Sequence, residues 1–397
     1  MLFFKIGIKL LYIMGNREHF FKSGGLFRAE DTKTMVWTPE DNCIPGRDVA
    51  PNPVEPLPVT TVRLARYADF PVQLAAAAAR RYDKQVGKLL DFCNENNSLP
   101  PMAFTENDNS RVIVVRNAEQ LPPNLWYVGD LHGDLTALLA AVDYIDAYPA
   151  EDDPVIVFLG DVYDRFEYGY ELLLTIFHLM LTRPGKILYL AGNHDVELYY
   201  KKRYNFFYPG VMPADFCEWL NINIEDNPEL AQFGRGLVAL MKQMPHALFL
   251  PDGTFASHGG VPHVDLHKMI RSANDLDTVA ARQDFVWGRF DPCRPRVLPD
   301  RAHKDIGLGY QDFSDFCSLA SDILEMPATR LVHGHEHPIE QWCCYPRYRK
   351  NRILTINSHR LRGPSGPRTD IAIARHRIDD LPEVHLLDLT VPAANIV

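Results

Sequence analysis

Apolar residues change their spacing about a quarter of the way along this chain. In VRLARYADFPVQLAAAAARRYDKQVGKLLDFC (62–93) they recur at three- and four-residue steps around an alanine-rich centre, which predicts helix. Pro71 lacks the N–H that a helix interior needs, so the segment is expected to divide there into two helices. From about residue 110 the apolar runs become short and rich in β-branched residues. They are RVIVV (111–115), NLWYVG (124–129), PVIVFLG (154–160), KILYLAG (186–192), GTFASHGG (253–260), TRLVHGH (329–335) and RILTINS (352–358). Helical patterns at 135–147, 167–182 and 229–243 separate several of them, and 369–391 reads as a closing hairpin. Strands alternating with helices argue an α/β protein with buried central strands.

Ahead of both regions, DNCIPGRDVAPNPVEPLP (41–58) is polar and proline-rich. The expected organisation is therefore an arm or linker over 1–60, a helical accessory segment over 61–105, and the α/β unit over 106–397. The opening MLFFKIGIKLLYIMG carries Lys5 and Lys9 and is too short to span a bilayer. It reads as an extension and leaves weak membrane association open.

The polar residues that interrupt the apolar runs are not scattered. Five runs end around a glycine mixed with Asp, Asn or His: Gly129–Gly133 (GDLHG), Gly160–Arg165 (GDVYDR), Gly192–Asp195 (GNHD), Ser257–Gly260 (SHGG) and His333–His337 (HGHEH). In α/β sheets, loops just past strand carboxyl ends carry ligand-binding groups. Asp130 and His132, two apart on an extended segment, point to one side of it and suit a single cation. Oxygen and imidazole donors without thiolate suit divalent ions such as manganese, iron or zinc. Taken singly, each residue has a plainer reading. Asp130 and Asp161 could cap the helices that follow, Asp164 with Arg165 could be a surface ion pair, and one histidine at a strand end is usually structural.

Charge and cysteines narrow the class. A net charge of −10 argues against bulk nucleic-acid binding, which needs basic stripes. Seven cysteines without a CxxC pair argue against a disulfide framework and for a reducing, cytoplasmic setting. Cys343–Cys344 reads as strand packing, RYRKNR (347–352) as a solvated turn, and YYKKRYNFFYP (199–209) as a packed insertion.

In order, the five segments resemble the signature segments of the calcineurin-like metallophosphoesterases, and Asp164-Arg165 resembles the phosphoprotein phosphatase branch. The similarity spans about residues 110–395. It implies a metallophosphoesterase-type sandwich of two mixed β-sheets flanked by helices, here with an N-terminal helical extension. It implies two divalent ions, manganese first, with iron, zinc or magnesium as alternatives. Carried over by position, Asp130, His132 and a shared Asp161 would hold one ion. Asp161, Asn193, His258 and His335 would hold the other. His194 would be the general acid, oriented by Asp164, and Arg165 would bind phosphate. The implied activity is hydrolysis of phosphate monoesters on phosphoproteins or phosphopeptides by a metal-bridging hydroxide, phosphoserine and phosphothreonine first, with phosphotyrosine admitted.

The chain also departs from the branch pattern. Phe166 stands where the branch has glycine after Asp-Arg, and Asp195 where it has glutamate. His337 adds a G-H-x-H pattern and is a further candidate ligand of the first ion. FVWGRFDP (285–292) resembles the stretch before the branch's second phosphate-binding arginine, which leaves Arg289 and Arg301 as candidates. ILTINSHRLRG (353–363) shares little with the branch's C-terminal loop. His333 reads as a supporting residue, and His246, His263, His267, His303 and His359, without motif context, as structural or surface. Alternatives are a nucleotide phosphodiesterase or dinucleoside-polyphosphate hydrolase, and a non-catalytic scaffold. Oligomeric state is left open.

Overall fold

Val155–Phe158 is apolar and buried at every position, as a strand covered on both faces must be. It lies near one end of a seven-stranded sheet in the computed structural model, which describes residues 32–37, 57–68, 70–104, 111–304, 306–345, 352–360, 362–363 and 366–390. The spatial order is Thr32–Trp37, Leu57–Arg63, Glu383–Asp388, Asp370–Arg375, Leu125–Val128, Val155–Phe158, Ile187–Tyr189. The last three strands are mutually parallel, whereas Asp370–Arg375 runs antiparallel to Leu125–Val128. A second, six-stranded sheet has the order Trp342–Cys344, Arg352–Ile356, Arg330–His333, Thr254–Ser257, Ala247–Phe249, Val112–Val114. It too is mixed: Arg330–His333 is parallel to both neighbours, and Ala247–Phe249 is antiparallel to Thr254–Ser257.

Strand alternation explains how the layers stack. Ala256, Val332 and Leu354 belong to the large core shared with the first sheet. Their neighbours Phe255, Leu331 and Ile353 point the other way, into a second core with Phe313 and Phe316 of the helix Tyr310–Leu324. Helices Leu135–Ala147 and Gly169–Thr182 add their buried faces to the large core. The expected strands, the helices and the closing hairpin are all present, in a sandwich of two mixed sheets flanked by helices.

Two expectations on the N-terminal side are corrected. Leu57–Arg63 is a strand within the first sheet, paired with Thr32–Trp37 and with Glu383–Asp388, where linker and then helix were expected. Pro58 sits beside the start of that strand, where a missing donor is tolerated. Pro71 does not divide two helices. Before it there is only a 3₁₀ turn, Ala65–Tyr67, and Pro71 instead caps the helix Val72–Ala79. The break falls at the turn Arg80–Tyr82, ahead of the helix Asp83–Asn96. Residues 1–31, including the apolar opening, lie outside the described residues, as do 347–351 of the basic run. Among the described residues no helix is long and apolar enough to cross a membrane.

The accessory helices are built into the body. Asp83–Asn96 buries Val86, Leu90 and Cys93, one stripe at helical spacing, against Pro228–Met241, where Gly236 leaves room for Leu90. Tyr170 donates to Asp83 at 2.5 Å, and Arg80 donates to the buried Glu171 at 2.6 Å. Leu90→Ala is expected to cost about 2–5 kcal/mol of stability in urea melts. Phe92→Ala, on the same helix but 59% exposed, is expected to cost far less. Equal losses from the two would contradict the docking.

Candidate metal centre

The parallel strands of both sheets deliver their carboxyl ends to one edge of the sandwich, and there the chain turns sharply. His132, Asp161, Asp164, Arg165 and His335 all adopt left-handed φ, at 46°, 53°, 69°, 69° and 63°. Non-glycine residues are held this way at a cost of order 1–3 kcal/mol each, and only where surroundings over-determine them. Those surroundings include glycines with no space for a side chain. A Cβ on Gly192 would collide with the Asp161 carboxylate, and one on Gly334 with that of Asp130.

Two donor sets result, joined by one oxygen. In the first, His132 donates from Nδ1 to the Tyr163 carbonyl at 3.0 Å, so its Nε2 carries the lone pair. That Nε2 lies 3.7 Å from Asp130 Oδ2 and 3.7 Å from Asp161 Oδ2, buried and without a hydrogen-bond partner. In the second, His258 Nδ1 donates to the Leu159 carbonyl at 3.0 Å. Its Nε2 faces Asn193 Oδ1 at 2.9 Å, His335 Nδ1 at 3.2 Å and Asp161 Oδ2 at 3.3 Å. Burial opposes charge on His258, but Asp161 and Asp130 outweigh it and raise this imidazole to about 9. Burial likewise works against charge on Asp130 and Asp161, and the nearby imidazoles, His258 foremost, overcome it and hold both carboxyls low. A proton on His258 offsets carboxylate charge here, as a cation would.

The donors fit divalent ions. Ligands about 2.0–2.2 Å from a common centre lie roughly 3–4 Å from one another, as these do. An orphaned, buried imidazole nitrogen between two carboxylates costs free energy unless something positive sits beside it. Asp161 with His258 and His335 can hold one ion, and His132 falls in two other groupings of donors, one with Asp161 and His194 and one with His337 and His359.

His194 and Asp164 adjoin these sets. Asp164 Oδ2 accepts from His194 Nδ1 at 2.5 Å, and its Oδ1 accepts from the Phe216 backbone N–H at 2.9 Å, which fixes the carboxylate. Burial alone would lower the His194 imidazole; Asp161 and Asp164 prevail and raise it. The His194 N–H donates to Asp161 Oδ1 at 2.9 Å, locking the two loops together. Asp195 braces the same loops, its Oδ2 accepting from Asp161 N–H and Gly192 N–H, both at 2.8 Å.

The remaining expected residues divide. His337 reaches the cluster, its Nε2 3.0 Å from Asp130 Oδ2, and Arg165 Nη1 lies 3.3 Å from its Nδ1. Arg165 is exposed and lines a cleft of about 510 Å³ with Phe166, Tyr168, Gln73 and Arg360. Arg289 donates to the His335 carbonyl at 3.3 Å and so borders the cluster. Arg301 is not brought to it: this guanidinium is bound by Asp265 and Asp284 at 2.7 and 2.8 Å. His333, the last residue of the strand Arg330–His333, bonds Thr355 at 2.7 Å.

His359 is the residue the sequence reading missed. Expected to be structural or surface, it is 2% exposed and lies among the site histidines. Its ring is 5.0 Å from His132 and 5.0 Å from His337. Its one signal was position, just past the 352–358 run. Arg360, beside it, is held by Asp134 through two contacts of 2.8 Å.

Residues 123–339 match the family model for calcineurin-like phosphoesterase, more than half of the 397 residues. Serine/threonine-protein phosphatase 5 of Homo sapiens is 27% identical over 187 residues, 44% of this chain and 32% of that protein. The PP2A-like serine/threonine-protein phosphatase PPG1 of Saccharomyces cerevisiae is 27% identical over 164 residues, 40% of each chain. This chain thus spans about a third of the length of the phosphatase 5 relatives it matches. A solved protein serine/threonine phosphatase from Saccharomyces cerevisiae aligns with 80% of this chain and 89% of its own, at 14% identity and a TM-score of 0.46. The chain belongs to the calcineurin-like phosphoesterase family.

Proposed function

We propose that this chain is a dinuclear, metal-dependent phosphatase acting on phosphate monoesters, with phosphoserine and phosphothreonine of proteins as its first substrates and phosphotyrosine admitted. The observation that carries the reading is the Asp161 carboxylate, whose Oδ2 faces His132 on one side and His258 on the other. Cations held there supply positive charge against phosphoryl oxygens and make water acidic enough to act as nucleophile near neutral pH. Asp130, His132 and Asp161, with His337, would hold one; Asp161, Asn193, His258 and His335 the other.

The chain's own groups do the rest. Arg165, exposed and with its Nη1 3.3 Å from His337 Nδ1, offers a planar pair of donors to phosphate oxygens. His194, buried and raised by Asp161 and Asp164, is the group placed to give a proton to a leaving alkoxide. Asp164, tied to the Phe216 backbone, keeps that imidazole aimed. The relatives named as serine/threonine phosphatases favour a phosphoprotein substrate.

The test pairs metal analysis of the purified chain with a substrate panel. Two ions per chain and faster turnover of phosphopeptides and p-nitrophenyl phosphate than of bis-p-nitrophenyl phosphate or dinucleoside polyphosphates are expected. The reverse order would make it a phosphodiesterase or polyphosphate hydrolase. Bound metal without turnover of any phosphoester would make it a scaffold.

A further inference from the structure

Three imidazoles from distant parts of the chain converge on one side of the cluster. His132, His337 and His359 each offer a ring nitrogen, and the three nitrogens lie within 4.8 Å of one another. Their planes are close to mutually perpendicular: 77° between His132 and His337, 79° between His132 and His359, and 82° between His337 and His359. Stacked packing would bring such rings parallel; three rings edge to face, with nitrogens inward, surround a point. His359 is also tied to this arrangement. Its Nδ1 lies 3.2 Å from the Asp130 carbonyl oxygen and donates to it, which leaves the Nε2 lone pair free. The Ser358 N–H donates to the same carbonyl at 3.1 Å, which ties the loop bearing His359 to the loop bearing Asp130.

Two departures from the branch pattern meet here. Phe166, where the branch has glycine, sets its ring edge-on against His359 with centroids 6.0 Å apart. Its backbone N–H donates to the His132 carbonyl at 3.0 Å. A side chain at 166 thus walls the third imidazole into the site.

We propose that His359 is an additional ligand of the first cation, giving that position three imidazoles beside Asp130 and Asp161 and a preference for zinc or iron(II) over manganese. Imidazole donors suit zinc and iron, while carboxylate, carbonyl and water donors suit manganese and magnesium. The second position, with the Asn193 amide and two imidazoles, lacks this enrichment. The inference rests on the dinuclear reading above.

The test uses the full chain, stripped of metal and reloaded. With cobalt(II), each coordinated histidine gives one hyperfine-shifted ring N–H resonance. Five are expected, from His132, His258, His335, His337 and His359, and His359→Ala should remove one. In zinc titrations, His359→Ala should weaken one of the two ions by more than the ~10–100-fold that losing a residue which only orients a ligand costs, and narrow that position's preference for zinc over manganese. Four shifted resonances in the unaltered chain, with His359 absent from them, overturn the assignment even if the variant fails to fold. So does a folded variant that binds both zinc ions with unchanged affinity. In those cases the two-ion reading stands; if neither cobalt nor zinc binds, both fall together.

Discussion

His194→Ala is expected to keep its fold and both cations while losing about 10²–10⁴-fold in turnover, the usual contribution of a placed acid or base. The loss follows from where the imidazole sits. Its Nδ1 is pinned to Asp164 at 2.5 Å, so only Nε2 is free to face a leaving oxygen. Because leaving groups differ in their need for a proton, the loss should be larger for a phosphoserine peptide than for p-nitrophenyl phosphate. The pH profile gives a second readout. A raised histidine is protonated below its pKa and loses its proton as pH rises through it, so activity should fall on the alkaline side. Asp164→Asn removes one of the carboxylates that raise it and should move that fall to lower pH. His194 also stands near His132 and Asp161 as a possible donor grouping. Loss of an ion in His194→Ala would make it a ligand, and near-normal turnover of the peptide would remove it as the acid.

Asp161→Ala should be the most damaging change to metal content, because one side chain serves both donor sets. Its Oδ2 is 3.7 Å from His132 Nε2 and 3.3 Å from His258 Nε2, and its Oδ1 accepts the His194 N–H. Without it, His132 and His258 face each other's surroundings with no anion between them, and like-charged cations would repel unscreened. Metal analysis after gel filtration is expected to fall from two ions per chain to none, and activity with it. A substitution confined to one set, Asn193→Ala, should cost one ion. A full complement retained by Asp161→Ala would end the bridging role.

Much of this was legible because the site is written in short segments. Asp130 and His132, or Asn193 and His194, lie within a few residues of each other and directly follow strands whose apolar runs announce them. The rest needed three dimensions. His359 has no chemical neighbour in sequence; the carbonyl that positions it belongs to Asp130, 229 residues away. Arg301 looked as available as Arg289 until its two aspartates were seen, one of them, Asp284, wholly buried. The strands Thr32–Trp37 and Leu57–Arg63 were hidden by a proline-rich stretch whose polarity says loop, although backbone pairing at a sheet edge asks little of side chains. Local pattern reports what a segment prefers; which distant segment meets it is settled by packing.

The pairing of Asp370–Arg375 with Leu125–Val128 bears on how the chain matures. The strand leading into Asp130 has its neighbour on one side from the last tenth of the molecule, and the Asp130 backbone bridges to Asn357. During synthesis from the amino end, the strand leading into Asp130 can pair with Val155–Phe158 early but lacks its neighbour on the other side until the hairpin Asp370–Asp388 is made. A chain cut between His337 and His359 would keep every proposed ligand but His359 and would lack the strand Asp370–Arg375 that flanks Leu125–Val128.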